Sequence, residues 1–492
     1  MGKTFLILFL IAFSFLFYVG MSIYFHFPEK FNETPERKWE KLDEKAWSLY
    51  RQGLYADSIK TGKKALVFAE KSFNSNHINV AKSLNSLALL YDKQGKYLEA
   101  EPFYKRALEI REKALGPDHP DLGTYLNNLG VLYINQGKHL EAEPFYKRAL
   151  EIREKALAPD HPDVGESLCN LGQIHKIQGK YVEAEVLYKR ALEIREKALG
   201  PDHPDVGNSL VRIGSLYIIQ GKYVEAEAFY KRALEIREKK LGLNHFDVAI
   251  PLNNLGSLYV IQGKYSEAEP LLTRALAIME KDGPNHPCVA KCLQNMAKMC
   301  GDRGQYVQAE SFYKRILEIQ EKALDMDHPD LAVTLNNLAR LYCDQGKYAE
   351  AEALYKRSLA IGEKVFGSDH SNLGAPLGNL AGIYEKQGKY SEAEALYKRS
   401  LTIEEKVFGS DHPSLGTTLN NLAELYRIQG QYAQAEPLYA RALTIMEKSF
   451  GPNHHNVATI LNNIALLYRK ISKEKDAEVL EKRAAAIYSI KR

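Results

Sequence analysis

The stretch KRALEIREKALGPDHPD at residues 105–121 returns at 189–205, and as KRALEIREKALAPDHPD at 147–163. A chain that rewrites one segment at a constant interval is building one structural unit many times. Glycines mark the interval. Gly53, Gly95, Gly137, Gly179, Gly221, Gly263, Gly304, Gly346, Gly388 and Gly430 fall 42 residues apart, with one step of 41, and Ser472 stands where the next glycine is due. This makes eleven units from about residue 37 to 490 with no linker between them. A fixed period of about 20–50 residues implies a solenoid or propeller rather than a string of globules.

Each unit reads as two helices. In residues 121–158, Leu126, Leu129, Gly130 and Tyr133 recur at spacings of three and four, the period of an amphipathic helix of about 14 residues. Gly137 should end it, since only glycine enters a left-handed cap without steric cost. A second helix of about 18 residues should follow, turning Ala142, Tyr146, Ala149 and Leu150 inward. Asp160-His161-Pro162 then opens the next first helix, with proline in the first turn and Asp160 or His161 capping the free amides. Gly130 and Ala142 are expected where the two helices of a hairpin approach closely, and Tyr133 and Tyr146 as plates between neighbouring hairpins.

Leu129-Gly130-x2-Tyr133 followed by Ala142-x3-Tyr146 resembles the tetratricopeptide repeat, whose first helix carries L-G-x2-Y and whose second carries A-x3-F. Gly256/Tyr259, Ala339/Tyr342, Ala381/Tyr384 and Ala423/Tyr426 repeat the first element. The usual period is about 34 residues. The longer unit here, with LNNLA, QGKY, EAE and YKRAL, is similar to the repeats of kinesin light chains and their bacterial relatives. The resemblance implies an all-α, right-handed superhelical solenoid of about eleven helix-turn-helix units. It also implies a non-catalytic protein whose first helices line a concave groove that holds protein segments. A kinesin light chain has a heptad region ahead of its repeats. Here an apolar segment stands in that place, which argues against motor association but leaves a cargo adaptor as the alternative reading.

That segment, FLILFLIAFSFLFYVGMSIYF at 5–25, carries no charge and, as a helix, would reach about 30 Å, enough for a bilayer core. It is long for a signal-peptide core and lacks a good cleavage site. The expectation is therefore residues 1–36 as a single-pass membrane anchor and tether ahead of a solenoid at 37–492. A cleaved signal with a secreted or periplasmic product is the alternative. The cationic residues Lys30, Arg37, Lys38, Lys41 and Lys45 follow it, and Asn32-Glu33-Thr34 is a glycosylation triplet of little weight.

Composition excludes much else. With 66 basic and 62 acidic residues the formal charge is +4, far from the clustered basic excess of a nucleic-acid binder. The five cysteines, Cys169, Cys288, Cys292, Cys300 and Cys343, are too few and irregular for a disulfide framework or a metal site, and read as buried thiols. Ten inter-unit loops repeat a histidine: His77, His119, His161, His203, His245, His286, His328, His370, His412 and His454. One histidine per loop, with loops about 10 Å apart, is a structural device rather than a metal site. His175, in a tyrosine column, reads as a satisfied core histidine. No P-loop, dinucleotide fingerprint, H-E-x-x-H or G-x-S-x-G is present, and no cofactor is expected. An enzyme with an unrecognised site is the remaining reading of another class, and nothing in the sequence motivates it.

The expected site is the groove. Its columns hold Asn127, Asn128, Asn170, Asn253, Asn254, Asn295, Asn336, Asn337, Asn379, Asn420 and Asn421, with Arg212 and Arg340 among them. A carboxamide both donates and accepts, so a ladder of them suits an extended backbone. One asparagine of each pair could instead serve the adjacent turn. Arg212 replaces an asparagine and offers a carboxylate fork. Ile134, Ile177, Ile218, Ile219, Val260 and Ile261 make the middle apolar, and Lys298, Arg340, Arg427, Arg469 and Lys470 make the C-terminal part basic. The expected partner is an extended segment with apolar and acidic residues.

Overall fold

The computed structural model describes residues 34–52, 54–284, 287–323 and 327–489. They form 22 helices, no strand among them, joined as eleven hairpins. The first helices are α1 (Pro35–Arg51), α3 (Ile78–Lys93), α5 (Leu122–Asn135), α7 (Pro162–Ile177), α9 (Pro204–Ile219), α11 (Phe246–Ile261), α13 (Pro287–Asp302), α15 (Pro329–Asp344), α17 (Gly374–Lys386), α19 (Pro413–Ile428) and α21 (His455–Lys470). The second helices are α2 (Tyr55–Ser72), α4 (Tyr97–Leu115), α6 (His139–Ala156), α8 (Tyr181–Leu199), α10 (Tyr223–Leu241), α12 (Tyr265–Asp282), α14 (Tyr306–Ala323), α16 (Tyr348–Phe366), α18 (Tyr390–Phe408), α20 (Tyr432–Phe450) and α22 (Glu474–Ser489). The apolar stretch 5–25 and His286 lie outside the described residues, and among the described residues no helix is long and apolar enough to cross a membrane.

Local chemistry sets these boundaries. Gly137 turns at φ 71°, in the left-handed region, and Ser472 takes φ 61° at the equivalent point of the last unit, the only non-glycine to do so among the described residues. Thr34 caps α1, and at the start of most later first helices the loop histidine is the cap. His161 Nδ1 accepts from the Asp163 amide at 3.2 Å, and His203, His245, His328 and His412 make the same bond. Capping falls to the imidazole rather than to Asp160, whose carboxylate instead meets Lys197. The side chain thus relieves one of the free amides that every helix start exposes.

Packing follows the small–large alternation. A Cβ on Gly130 would lie 2.6 Å from the Tyr146 ring, as would one on Gly172 or Gly214 at 2.7 Å from Tyr188 or Tyr230. Tyr146 therefore lies over the glycine of its own hairpin and also packs with Leu171 and Ile174 of the next unit, so it fills the space between hairpins too. Tyr133 does bridge hairpins, donating to Glu101 at 3.0 Å, and Tyr217, Tyr259 and Tyr426 repeat that bond to Glu185, Glu227 and Glu394. Fully burying such a ring is worth about 1.5–3 kcal/mol. His175 cannot reach in this way: both its ring nitrogens are buried without a partner, so it is not the satisfied histidine the sequence suggested. The core is a series of clusters linked by half-buried residues rather than one uninterrupted spine. Buried guanidiniums, Arg111, Arg153, Arg195 and Arg237, punctuate it in the N-terminal half.

The stack bends until it meets itself. Consecutive first helices touch one another, as neighbours on the inner side of a bend must. Six units on, the chain has completed a turn. His328 Nε2 lies 3.1 Å from the Lys93 carbonyl, and His412 Nε2 lies 2.8 Å from that of Ile177, each 235 residues back. Tyr97 stacks on Phe366, His139 on Phe408 and Tyr181 on Phe450. A side chain on Gly95 or Gly179 would strike Pro329 or Pro413, and one on Gly137 would strike His370. α6 and α18 are in direct contact. The helix-turn edge of units two to four is thus sealed against the loop edge of the second superhelical turn.

Candidate functional site

The inner wall is built from the exposed faces of the first helices, and three hollows open on it. One of about 550 Å³ lies over α1, α3 and α5, lined by Trp39, Asp43, Lys82, Asn85, Arg111 and Thr124 among others. Another of about 200 Å³ lies over α13 and α15, lined by Asn295, Lys298, Asn337, Arg340 and Asp344 among others. A third of about 620 Å³ straddles the seam, between Ile134 and Ile177 of the first turn and Ala332, Val333 and Pro376 of the second, with Phe366 and Phe408 among its walls.

The asparagines form a ladder, but largely with each other. The second asparagine of one unit donates to the first of the unit before: Asn128 to Asn85 at 2.9 Å, Asn295 to Asn253 at 2.9 Å, Asn379 to Asn336 at 3.1 Å and Asn463 to Asn420 at 2.9 Å. One lone pair or N–H of each carboxamide is thereby taken, and the rest stay half-exposed to the hollow. The pairing lapses wherever the first position is another residue, as at Cys169, Val211, Gln294 and Gly378. Asn170, Asn254, Asn337 and Asn421 are half-buried on the same wall, Asn420 also donating to Asn421 at 3.4 Å. Asn127 is the exception in burial: only 5% exposed, with both ends of its carboxamide unpaired.

The cations differ from expectation. Arg427 is held by Glu424 through two bonds and Tyr439 shares that carboxylate, while Arg469 pairs with Glu474 and Glu481, and Lys298 approaches Asp302. The C-terminal basic character of the sequence is therefore largely neutralised in place. Arg340 is exposed at the rim of the small hollow. Arg212 is half-buried on α9, and it acts on Lys176 of α7, a residue the sequence reading passed over. Burial, and then the Arg212 charge, draw the Lys176 amine down to about 8. A lysine among isoleucines, in the column of Ile134 and Ile218, was the signal available in the sequence.

Also missed was the arginine column at one position of REKAL. Arg153 reaches the Asp163 carbonyl, Glu166 and Ser167 of the next unit, and Arg195 reaches Ser209 at 2.8 Å. Each guanidinium ties a hairpin to its successor beneath the wall. In the C-terminal half the same position holds Met279, Gln320, Gly362, Glu404 and Met446. Glu404 is buried, and burial raises its carboxyl to about 7. Among the described residues no three metal-ligating side chains converge, and all five cysteines are free.

The profile of the tetratricopeptide repeat matches in nine overlapping windows, 43–113, 93–155, 121–197, 168–239, 205–281, 247–322, 330–406, 375–448 and 414–489. The chain belongs to the tetratricopeptide repeat family. Among solved structures, this repeat protein is 26% identical to BtubC (BKLC) from P. vanneervenii, over 47% of this chain and 91% of that one, with a TM-score of 0.37. It is likewise 26% identical to a kinesin-light-chain protein of Podosopora anserina with nearly identical TPR-like repeats, over 42% and 97%, with a TM-score of 0.36. A Rap protein complexed with competence and sporulation factor is 17% identical over 75% and 99%, with a TM-score of 0.51, a likeness of fold alone. No curated protein matches the repeat chain significantly. The hairpin glycines, tyrosines and alanines described above are the family's packing positions.

Proposed function

We propose that this protein is a membrane-tethered scaffold that binds extended protein segments along its inner wall and performs no chemistry. The observation that carries the reading is the wall itself. It offers a run of half-exposed carboxamides with free donors and acceptors, and hollows with apolar sides, but no convergent catalytic group. A segment lying there would bond to the asparagines through its backbone and seat apolar side chains against Ile134, Ile177 and Val333. Lys176 and Arg212 form no ion pair among the described residues, so a carboxylate of the segment is the favoured occupant beside them. The tether is residues 5–25, on the strength of their length and lack of charge.

A photo-crosslinking residue placed at Asn337, on the inner wall, should capture a bound segment, and one placed at Val307, on the exposed outer edge, should not. Equal capture from both places would refute the groove. Alkaline extraction tests the tether separately: release of the chain with an intact N-terminus would remove it and leave the groove reading standing.

A further inference from the structure

The seam between the two superhelical turns divides the loop histidines into two classes. Among the described residues the loops of units two to five meet no other superhelical turn, and the side chains of His119, His161, His203 and His245 are 38–46% exposed. In the second turn His328, His370 and His454 are only 4–7% exposed. The sequence changes with them. Leu115, Leu199 and Leu241 end the second helices of units two, four and five, and Leu157 directly follows that of unit three, whereas Phe366, Phe408 and Phe450 end those of units eight to ten. These phenylalanines are sandwiched. Phe366 lies between Tyr97 and His370, Phe408 between His139 and His412, and Phe450 between Tyr181 and His454. An aromatic thus stands at each place where the second turn lands on the first, and Phe73 holds the same position in unit one, stacked on His77. The seam is a built contact with its own side chains.

Its chemistry requires neutral imidazole. His412 uses both nitrogens: Nδ1 accepts from the Ser414 amide at 3.2 Å, so Nε2 carries the proton that points at the Ile177 carbonyl 2.8 Å away. His328 does the same with Asp330 and Lys93. A second proton would go on Nδ1 and abolish the cap. At the centre of the seam His139, His370 and His412 crowd one another. His139 has Ser371 Oγ at 3.5 Å and the Phe408 ring on its face. The charged group favouring its protonation is Glu141 of its own helix, and the His412 charge opposes it. His370 faces His139 and the backbone of Asn135 and Gln136, and His412 faces the Ile177 carbonyl.

We infer that this histidine-lined seam is an acid-released latch: neutral, it holds the solenoid closed as a two-turn tube, and protonated, it lets the second turn lift away and opens the inner wall to long protein segments. The titration agrees with the geometry. Burial, then the neighbouring histidine, lowers both His139 and His370 to about 4, and burial lowers His412. A base whose value is depressed in the closed form takes protons preferentially in the open form. The closed form is therefore unaffected above about 6.5 and loses ground as pH falls from there toward 4. At pH 5, a histidine moving from about 6.5 open to about 4 closed raises the open-to-closed ratio about thirtyfold. Release of the seam does not depend on what the inner wall binds; only its consequence for protein segments rests on the groove reading.

Hydrogen exchange on the full chain at pH 7.5 and pH 5.0 tests it, after correction for intrinsic rates. Protection of segments 135–140 and 408–414 should fall at least thirtyfold more than that of 199–205, a loop of the same sequence type outside the seam. His139→Tyr restores the residue found at Tyr97 and Tyr181, keeps the stack on Phe408 and removes one titrating group. It should cut the fall by about thirtyfold. Phe408→Ala should leave the seam unprotected at both pH values while the hairpin helices stay protected. Seam protection that is equal at the two pH values in the unaltered chain would overturn the latch, as would a His139→Tyr chain that titrates like the parent.

Discussion

His412 Nε2 meets the carbonyl oxygen of Ile177 at 2.8 Å, across 235 residues of chain. The carbonyl belongs to the last turn of α7, where helix oxygens lack partners of their own. The imidazole belongs to the cap of α19, where amides lack partners. One side chain satisfies both ends, and so joins the end of one first helix to the start of another in the next superhelical turn. The pair makes the shape of this repeat protein a property of two distant units as well as of each neighbouring pair.

Gly137 and Gly263 have the same backbone, at φ 71°, but only Gly137 sits under the seam, against His370. Alanine at either place should cost about 1 kcal/mol for the left-handed conformation. Gly137→Ala should cost more and should also expose the 366–372 segment to exchange, whereas Gly263→Ala should not. Thermal unfolding and exchange on the two variants give the comparison.

Glu404 occupies the column that holds arginine in the first turn, and burial lifts its carboxyl to about 7, with Thr418 and Ser400 opposing through hydrogen bonds. An acid raised on folding contributes its stability below its unfolded value and loses it as pH rises through the folded one. Glu404→Gln should therefore be near neutral at pH 4.5 and stabilising at pH 8, by at most about 3 kcal/mol. A melting difference that does not change with pH would contradict this.

Arg195 is buried, with Ser209 Oγ at 2.8 Å, the Asp205 carbonyl at 3.5 Å, Cys169 Sγ at 3.7 Å and no carboxylate among the described residues. The equivalent Met279 and Met446 show that an apolar chain of similar length fits the same slot. Arg195→Met should stay within about 1 kcal/mol of the parent, since it removes a buried charge with its desolvation cost. Arg195→Ala should cost about 2–3 kcal/mol, because the cavity is left behind. Denaturant midpoints on both variants decide it.

Asn127 has both ends of a buried carboxamide unpaired. Leucine there should raise stability by about 1 kcal/mol. Because both ends are shut off from the hollow, the same change should leave segment binding unaltered, so Asn127→Leu should raise the melting temperature without moving the affinity.

Much of this was legible in the letters. The 42-residue period, the helix pair, the left-handed turn at Gly137 and its stand-in Ser472, and a cap at Asp160 or His161 all depend on residues within a few positions of one another. Tyr146 was legible as a plate toward the next hairpin, but its seat on Gly130 of its own hairpin was not, because the sequence gives a large residue and a small one but not which pair faces which. His175 was misjudged because a tyrosine column promises a hydroxyl that histidine does not have. The asparagine columns were visible, but their mutual pairing was not, since it depends on the offset between adjacent first helices.

The sequence alone therefore determined the repeating unit, its helices and caps, and the asparagine-bearing face, because backbone geometry converts spacings of three and four into a face without reference to the rest of the chain. Only the tertiary structure decided that unit two meets unit eight. Each hairpin adds a small rotation to the last, and the sum over six of them, which no local pattern encodes, brings Tyr97 onto Phe366 and His412 onto Ile177.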